Sequence, residues 1–453
     1  MSASGKTAEP GEDRSPGAAP ARTAETRSGY GRGAAILSVG IGTTGLITFA
    51  YFSLASYALP ASQYGQITLL WSAIFITVSV LYRPVEQLLS RTIADRDARG
   101  VTGSDHLQIA ATIQLALGLL FAVTALLLRH QLQDDLFGGS QALYWILIAA
   151  VLAYAVSYFA RGFLAGHHRF GLYGGLVLME ATTRLVFALA VTVGIAEGQT
   201  AVALGMVAAP IVSLAVVPWA LGRRLRRMPT LPEEPADPEA EAQGEPEFTL
   251  ARGAGFAVAV LLIMLSEQTF LNAGPLLVKA TEGDRGAALA GFAFNVLLIA
   301  RAPLQLFQAI QTSILPHLTR LRAGGESDPF RRSVNLTLVA IAGFAVAVAV
   351  VMLAVGPWLM GIVFGGSGDY HRVGLVLISL GMGLYLSAAT LNQALLARAL
   401  ARAASSCWVL TAAAFALFLV LVDFDDPVLQ VETAYLGAAL VLCGSLYALY
   451  RRG

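Results

Sequence analysis

Charge is scarce in this sequence. Lys, Arg, Asp and Glu make up 13% of its 453 residues, against 56% that are hydrophobic, and the mean hydropathy is +0.66. Soluble domains carry about 25% charged residues. One soluble core cannot absorb that much apolar surface, so lipid must take some of it. Cysteine is nearly absent. Cys407 and Cys443 both sit in apolar runs, which excludes a disulfide framework and a cysteine metal site. His106, His130, His317 and His371 have no ligand-like spacing, and His167 and His168 lie with Arg169 in a short inside loop, solvated there. A net charge of +1 gives no basic surface for a nucleic-acid partner. No HExxH, Walker A loop, GxSxG elbow or dinucleotide fingerprint occurs, and no extramembrane segment is long enough to house a soluble active site. An enzyme is therefore not expected.

What is present is a series of long apolar runs. A spanning helix needs roughly 20 mostly apolar residues. The first half offers runs at 34–58, 64–82, 107–128, 141–160, 173–195 and 200–221; the second offers 251–273, 286–312, 334–357, 373–396, 404–423 and 432–450. The expected fold is an all-α polytopic membrane protein of about twelve helices, in an N-terminal lobe (34–221) and a C-terminal lobe (250–453). Residues 1–33 are rich in Gly, Ala, Ser and Pro without an apolar run, and read as a disordered cytoplasmic tail. Residues 222–249 begin with Arg223, Arg224, Arg226 and Arg227 and continue with prolines and seven acids between Glu233 and Glu247, the composition of a solvated cytoplasmic linker. Lys and Arg orient the spans. With both termini inside, the outer loops hold only Arg129, Lys279, Arg285 and Arg372, and most of the 30 basic residues fall on the inner side.

Charges inside spans are costly unless paired or wetted, which makes them functional candidates. Glu180 and Arg184 lie four apart, a spacing that pairs them on one helix face, with Tyr173 on the same stripe. Tyr154, Tyr158 and Arg161 share another face. Glu267 lies beside Gln268, and Arg301, Gln305, Gln308 and Thr312 cluster on one side of the eighth span. Arg83 and Arg301, near the inner boundary, are placed to snorkel toward headgroups. Together the stripes predict a polar cavity between the lobes. Its arginines suit a phosphate or diphosphate; Glu267 or Glu180 suits a coupling proton or cation.

Several stretches also resemble a known family. LPASQYGQ (59–66), YFARGFLAGHHRFGLYG (158–174), NAGPLLVKA (272–280) and RAPLQLFQAIQTSILPHLTRL (301–321) are similar to segments of the Wzx-like oligosaccharide flippases, within the multidrug/oligosaccharidyl-lipid/polysaccharide (MOP) exporter superfamily. The resemblance implies two six-helix lobes around a central cavity, working by alternating access. It implies transport of a polyprenyl-diphosphate-linked oligosaccharide across a bacterial cytoplasmic membrane for cell-surface polysaccharide biosynthesis. An H+ or Na+ gradient would drive it, no cofactor is needed, and a polysaccharide polymerase and glycosyltransferases would be partners. A drug/cation antiporter or a major facilitator is the alternative. SRTIADRDARG (90–100) lacks the spacing of the usual major-facilitator loop motif.

Overall fold

The apolar runs become helices because each backbone polar group must find its partner within the segment when no water is at hand. The computed structural model describes residues 40, 42–98, 104–215, 250–299, 301, 327–365, 370–398, 400–422 and 424–452. The tail at 1–33 and the linker at 222–249 lie outside them. The first half contains α1 (42–58), α2 (Ala61–Leu81), α3 (Arg83–Ala98), α4 (Asp105–Leu127), α5 (Gln141–Gly166), α6 (Phe170–Thr192) and α7 (Gly198–Ser213). The second half contains α8 (Leu250–Glu282), α9 (Gly286–Ile299), α10 (Ser327–Phe364), α11 (Arg372–Ala397), α12 (Ala401–Leu421) and α13 (Pro427–Arg452). No strand occurs among the described residues.

Nine of these segments are long and apolar enough to cross a membrane, with α2 and α3 forming one continuous span. Together with α1 and the shorter α7 and α9, they make the twelve-helix topology that the apolar runs predict, six in each half. The outward faces confirm the solvent. Leu115 and Leu119 on α4, and Leu336 and Val339 on α10, are more than half exposed. Such apolar surface belongs in lipid rather than water. Prolines 210, 275 and 357 sit inside helices, as membrane bundles tolerate.

Contacts run mainly within each half. In the first, α5 is central, touching α2, α3, α4, α6 and α7; in the second, α11 packs on α10 and α13, and α12 on α8. Two glycines bring α3 and α5 unusually close. A Cβ on Gly162 would lie 2.9 Å from the Glu86 carbonyl oxygen, and one on Gly166 would lie 2.7 Å from Ile93 Cβ. The halves meet along α2 and α8, and at one end through α1 with α10 and α2 with α9. Aromatic side chains fill the centre of each half: Trp71, Phe75 and Tyr154 in the first, Phe270, Tyr385, Trp408, Phe415 and Tyr435 in the second.

Candidate functional site

In the first half the buried charges are held across helices. Arg161 of α5 forms an ion pair with Glu180 of α6; the two residues are 9% and 2% exposed. Glu180 Oε1 also accepts from the Ser157 hydroxyl at 2.5 Å and from the Ser213 hydroxyl of α7 at 3.5 Å. Arg161 lies over the Tyr158 ring, 4.5 Å from its centroid. Arg184, 3% exposed, donates to the Tyr154 hydroxyl at 2.6 Å and lies 5.1 Å from the Trp71 ring centroid.

This corrects the helical pairing of Glu180 with Arg184. Two other helices supply Glu180 with a guanidinium and two hydroxyls, while a phenol and the face of an indole capture Arg184. Spacing along one helix shows which residues share a face but not what the neighbouring helix offers. Tyr173 likewise turns away from that stripe and donates to Glu86 of α3 at 2.7 Å. Glu86 is 9% exposed and was not singled out from the sequence. Its signal was there: an acid one turn beyond Arg83, at the inner edge of an apolar run.

Arg83 does not simply snorkel. Its side chain is exposed, yet Glu86, Tyr158 and Tyr173 of its own half and Glu267 of the other half all act on it electrostatically. Glu267, on α8, is half-buried and accepts from the Tyr385 hydroxyl of α11 at 3.0 Å. Arg83 and Glu267 therefore link the charge clusters of the two halves.

Arg301 is different in kind. It is 9% exposed and, among the described residues, has only a long hydrogen bond, from Nη1 to Asn272 Oδ1 at 3.5 Å. Its Nε and Nη2 have no partner, and no acid pairs with it among the described residues. Asn272, part of the NAGPLLVKA stretch, in turn donates to Gln268 at 2.9 Å. Gln305 and Gln308, expected on the same stripe, lie outside the described residues, as does Thr312. No cluster of His, Cys, Asp or Glu among the described residues is arranged to hold a metal.

The end of the molecule predicted to face outward is closed. The Tyr64 hydroxyl of α2 bonds to Asn295 Oδ1 of α9, and Asn295 Nδ2 donates to the Tyr370 hydroxyl at 3.1 Å. Ser53 and Tyr57 of α1 donate to the carbonyls of Val363 and Ile362 at the end of α10. Gly65 is pressed against the Ala287 backbone: a Cβ there would stand 1.7 Å from that carbonyl oxygen. A cavity of about 240 Å³, lined in part by Tyr57, Tyr64, Asn295 and Tyr370, remains within this seal.

Two six-helix halves, sealed to each other at one end and carrying buried charge at their centre, define a two-lobed polytopic membrane fold. No family model matches the chain, and no curated protein matches it by sequence. Solved structures do match. An inward-facing multidrug resistance MATE family transporter of the MOP superfamily aligns with a TM-score of 0.66 at 13% identity, over 92% of this chain and 98% of that one. An outward-facing one gives 0.58 at 15% identity, over 93% and 94%. A MOP superfamily transporter from Pyrococcus furiosus, described by the reverse polarity of its binding pocket, gives 0.57 at 14% identity, over 94% and 95%. The chain thus has the fold of MOP-superfamily transporters.

Proposed function

We propose that this protein is a flippase moving a polyprenyl-diphosphate-linked oligosaccharide from the inner to the outer leaflet of a bacterial cytoplasmic membrane, by alternating access. The observation that carries the proposal is Arg301. An unpaired guanidinium at 9% exposure costs several kcal/mol in a membrane interior. A diphosphate entering between the lobes supplies the missing anion, and the two orphan N–H groups are donors for its oxygens. A cationic drug would be repelled there. Arg83, exposed between the halves, extends the basic surface. The arginines of the first half are differently committed, since Glu180 already neutralises Arg161. The lipid tail stays in the bilayer while the sugar–diphosphate head crosses through the protein.

Glu267 is the candidate for a coupling H+ or Na+, with Tyr385 holding its carboxyl and Arg83 facing it from the other lobe. The same half-buried acid favours a second reading, the drug/cation antiporter. Both fit the fold. A polysaccharide polymerase and glycosyltransferases are the proposed partners of the flippase.

The two readings separate in proteoliposomes. Polyprenyl-diphosphate-linked oligosaccharide should cross only in vesicles holding the protein. Arg301→Ala should abolish that transfer, and Arg301→Lys should restore it in part. Transport of a cationic dye with no movement of lipid-linked sugar would overturn the flippase reading.

A further inference from the structure

The last helix carries a buried carboxyl outside the charge clusters described above. Glu432 lies in the second turn of α13, near the end of the second half predicted to face outward, and is 3% exposed. It is pressed against the backbone of α11: a Cβ on Gly374 would stand 1.7 Å from Glu432 Oε2 and 2.4 Å from the carboxyl carbon. Only glycine leaves that room, so the two helices close over the group. The nearby Gln430 is buried too, but donates to the carbonyls of Leu419 and Val422 at the end of α12. Glu432 has no such partner. Among the described residues no hydrogen bond or ion pair reaches its carboxyl.

The charged groups around it are committed elsewhere or carry the same sign. On α11, His371 is turned to Asp426, with Nε2 3.9 Å from Oδ2, and Arg372 donates to the Leu353 carbonyl of α10 at 3.4 Å. On α8, Lys279 donates to the Gly283 carbonyl at 2.7 Å. α12 brings no charged side chain to this end among the described residues. The turn before α13 adds two acids, Asp425 and Asp426, and Asp426 acts on Glu432 electrostatically. A buried carboxylate without donor or cation is far costlier than the neutral acid, and a neighbouring acid adds repulsion. The ligand that removes this charge without a coordination shell is a proton. A route for it is at hand. The side chains of His371 and Asp426 are 65% and 36% exposed, so water reaches both. Imidazole and carboxylate each take up and release protons.

We propose that Glu432 is a proton-binding site of the second half, separate from Glu267, which exchanges its proton with the outer aqueous phase by way of Asp426 and His371. With the proton on, α11 and α13 close around a neutral group; with the proton off, a charge is left between them, beside Asp426. The site does not depend on which cargo the protein carries.

The test compares the full chain in lipid nanodiscs by infrared difference spectroscopy at about pH 6 and about pH 10, both above the range in which ordinary carboxyl groups titrate. The parent protein should show the carbonyl stretch of a protonated acid at the lower pH and lose it at the higher. Glu432→Gln, which keeps the shape of the neutral acid, should lack that band at the lower pH, whatever signal other buried acids retain. Should this variant not fold, isotope-labelled glutamate should shift the band in the parent protein. Asp426→Asn with His371→Ala should keep the band and slow its loss after a pH jump by about tenfold or more. Identical spectra for the parent and Glu432→Gln would make the group an ionised cap on the first turn of α11 and overturn the proposal. So would an unshifted band in the labelled protein, or an unslowed response in the double variant.

Discussion

Gly65 is the most exacting point in the seal between the halves, and its replacement by valine tests how that seal works. A Cβ at this position stands 1.7 Å from the Ala287 carbonyl oxygen and 2.4 Å from its carbon. Ordinary contact requires about 3.5 Å, so α2 and α9 must part by about 2 Å. The obstacle is backbone on both sides, and no side chain can turn away to relieve it. Hydrogen bonds weaken steeply over such a displacement. Those at stake are Tyr64–Asn295, Ser53–Val363 and Tyr57–Ile362, which join the two halves. At roughly 1 kcal/mol net for each, their combined loss is about 3 kcal/mol, which shifts the closed-to-open ratio by roughly a hundredfold. The readout is the spin-label distance between Gln141→Cys and Thr281→Cys, exposed positions on the two halves, in a background where Cys407 and Cys443 are alanine. Gly65→Val should move the distribution to longer distances, and Gly65→Ala should do so less. An unchanged distribution in a folded Gly65→Val protein would refute the reasoning.

Other outcomes follow from the charge clusters. Glu180→Gln and Arg161→Met should each lower stability by about 3–5 kcal/mol, because each strands a buried charge, whereas the double substitution should recover most of that loss; thermal unfolding in detergent measures all three. Arg301→Leu should leave the unfolding temperature unchanged or raised while abolishing transfer of lipid-linked sugar, since the guanidinium has no acid partner to lose. Asn295→Ala removes a side chain that bridges Tyr64 and Tyr370, and should open the outer end in the same spin-label measurement, less than Gly65→Val does. Glu267→Gln should remove the dependence of transport on an H+ or Na+ gradient, read as equal rates with and without the gradient in vesicles.

The helices were legible because hydropathy alone forces them. The α4 run at 107–128 is found as Asp105–Leu127, and the run at 64–82 as Ala61–Leu81. What followed it was less legible. α3 continues α2 through the charged RPVEQLLSRTIADRDA, beyond where an apolar pattern ends. The charged residues were visible as candidates, but their partners were not. Glu180 is satisfied by Arg161, Ser157 and Ser213 from two other helices, and no periodicity within one helix reports that. Glu432 opens the run at 432–450, where an acid reads as a solvated helix end, and nothing in that run tells that α11 buries it. Gly65 stood in a quoted motif, yet its purpose appears only once Ala287 is seen against it.

The glycine contacts between α3 and α5 have a consequence for motion. With Gly162 and Gly166 drawing the two backbones together, α3 and α5 behave as a single welded plate, and a rocking of the halves carries Arg83, Glu86 and Arg161 along without rearranging them. The spacing that must change is the one between plates, from Arg83 to Glu267. In the transport cycle proposed above, their mutual potential would act as a gauge of the stroke: whatever neutralises either residue would alter the force between the plates at the point where they swing.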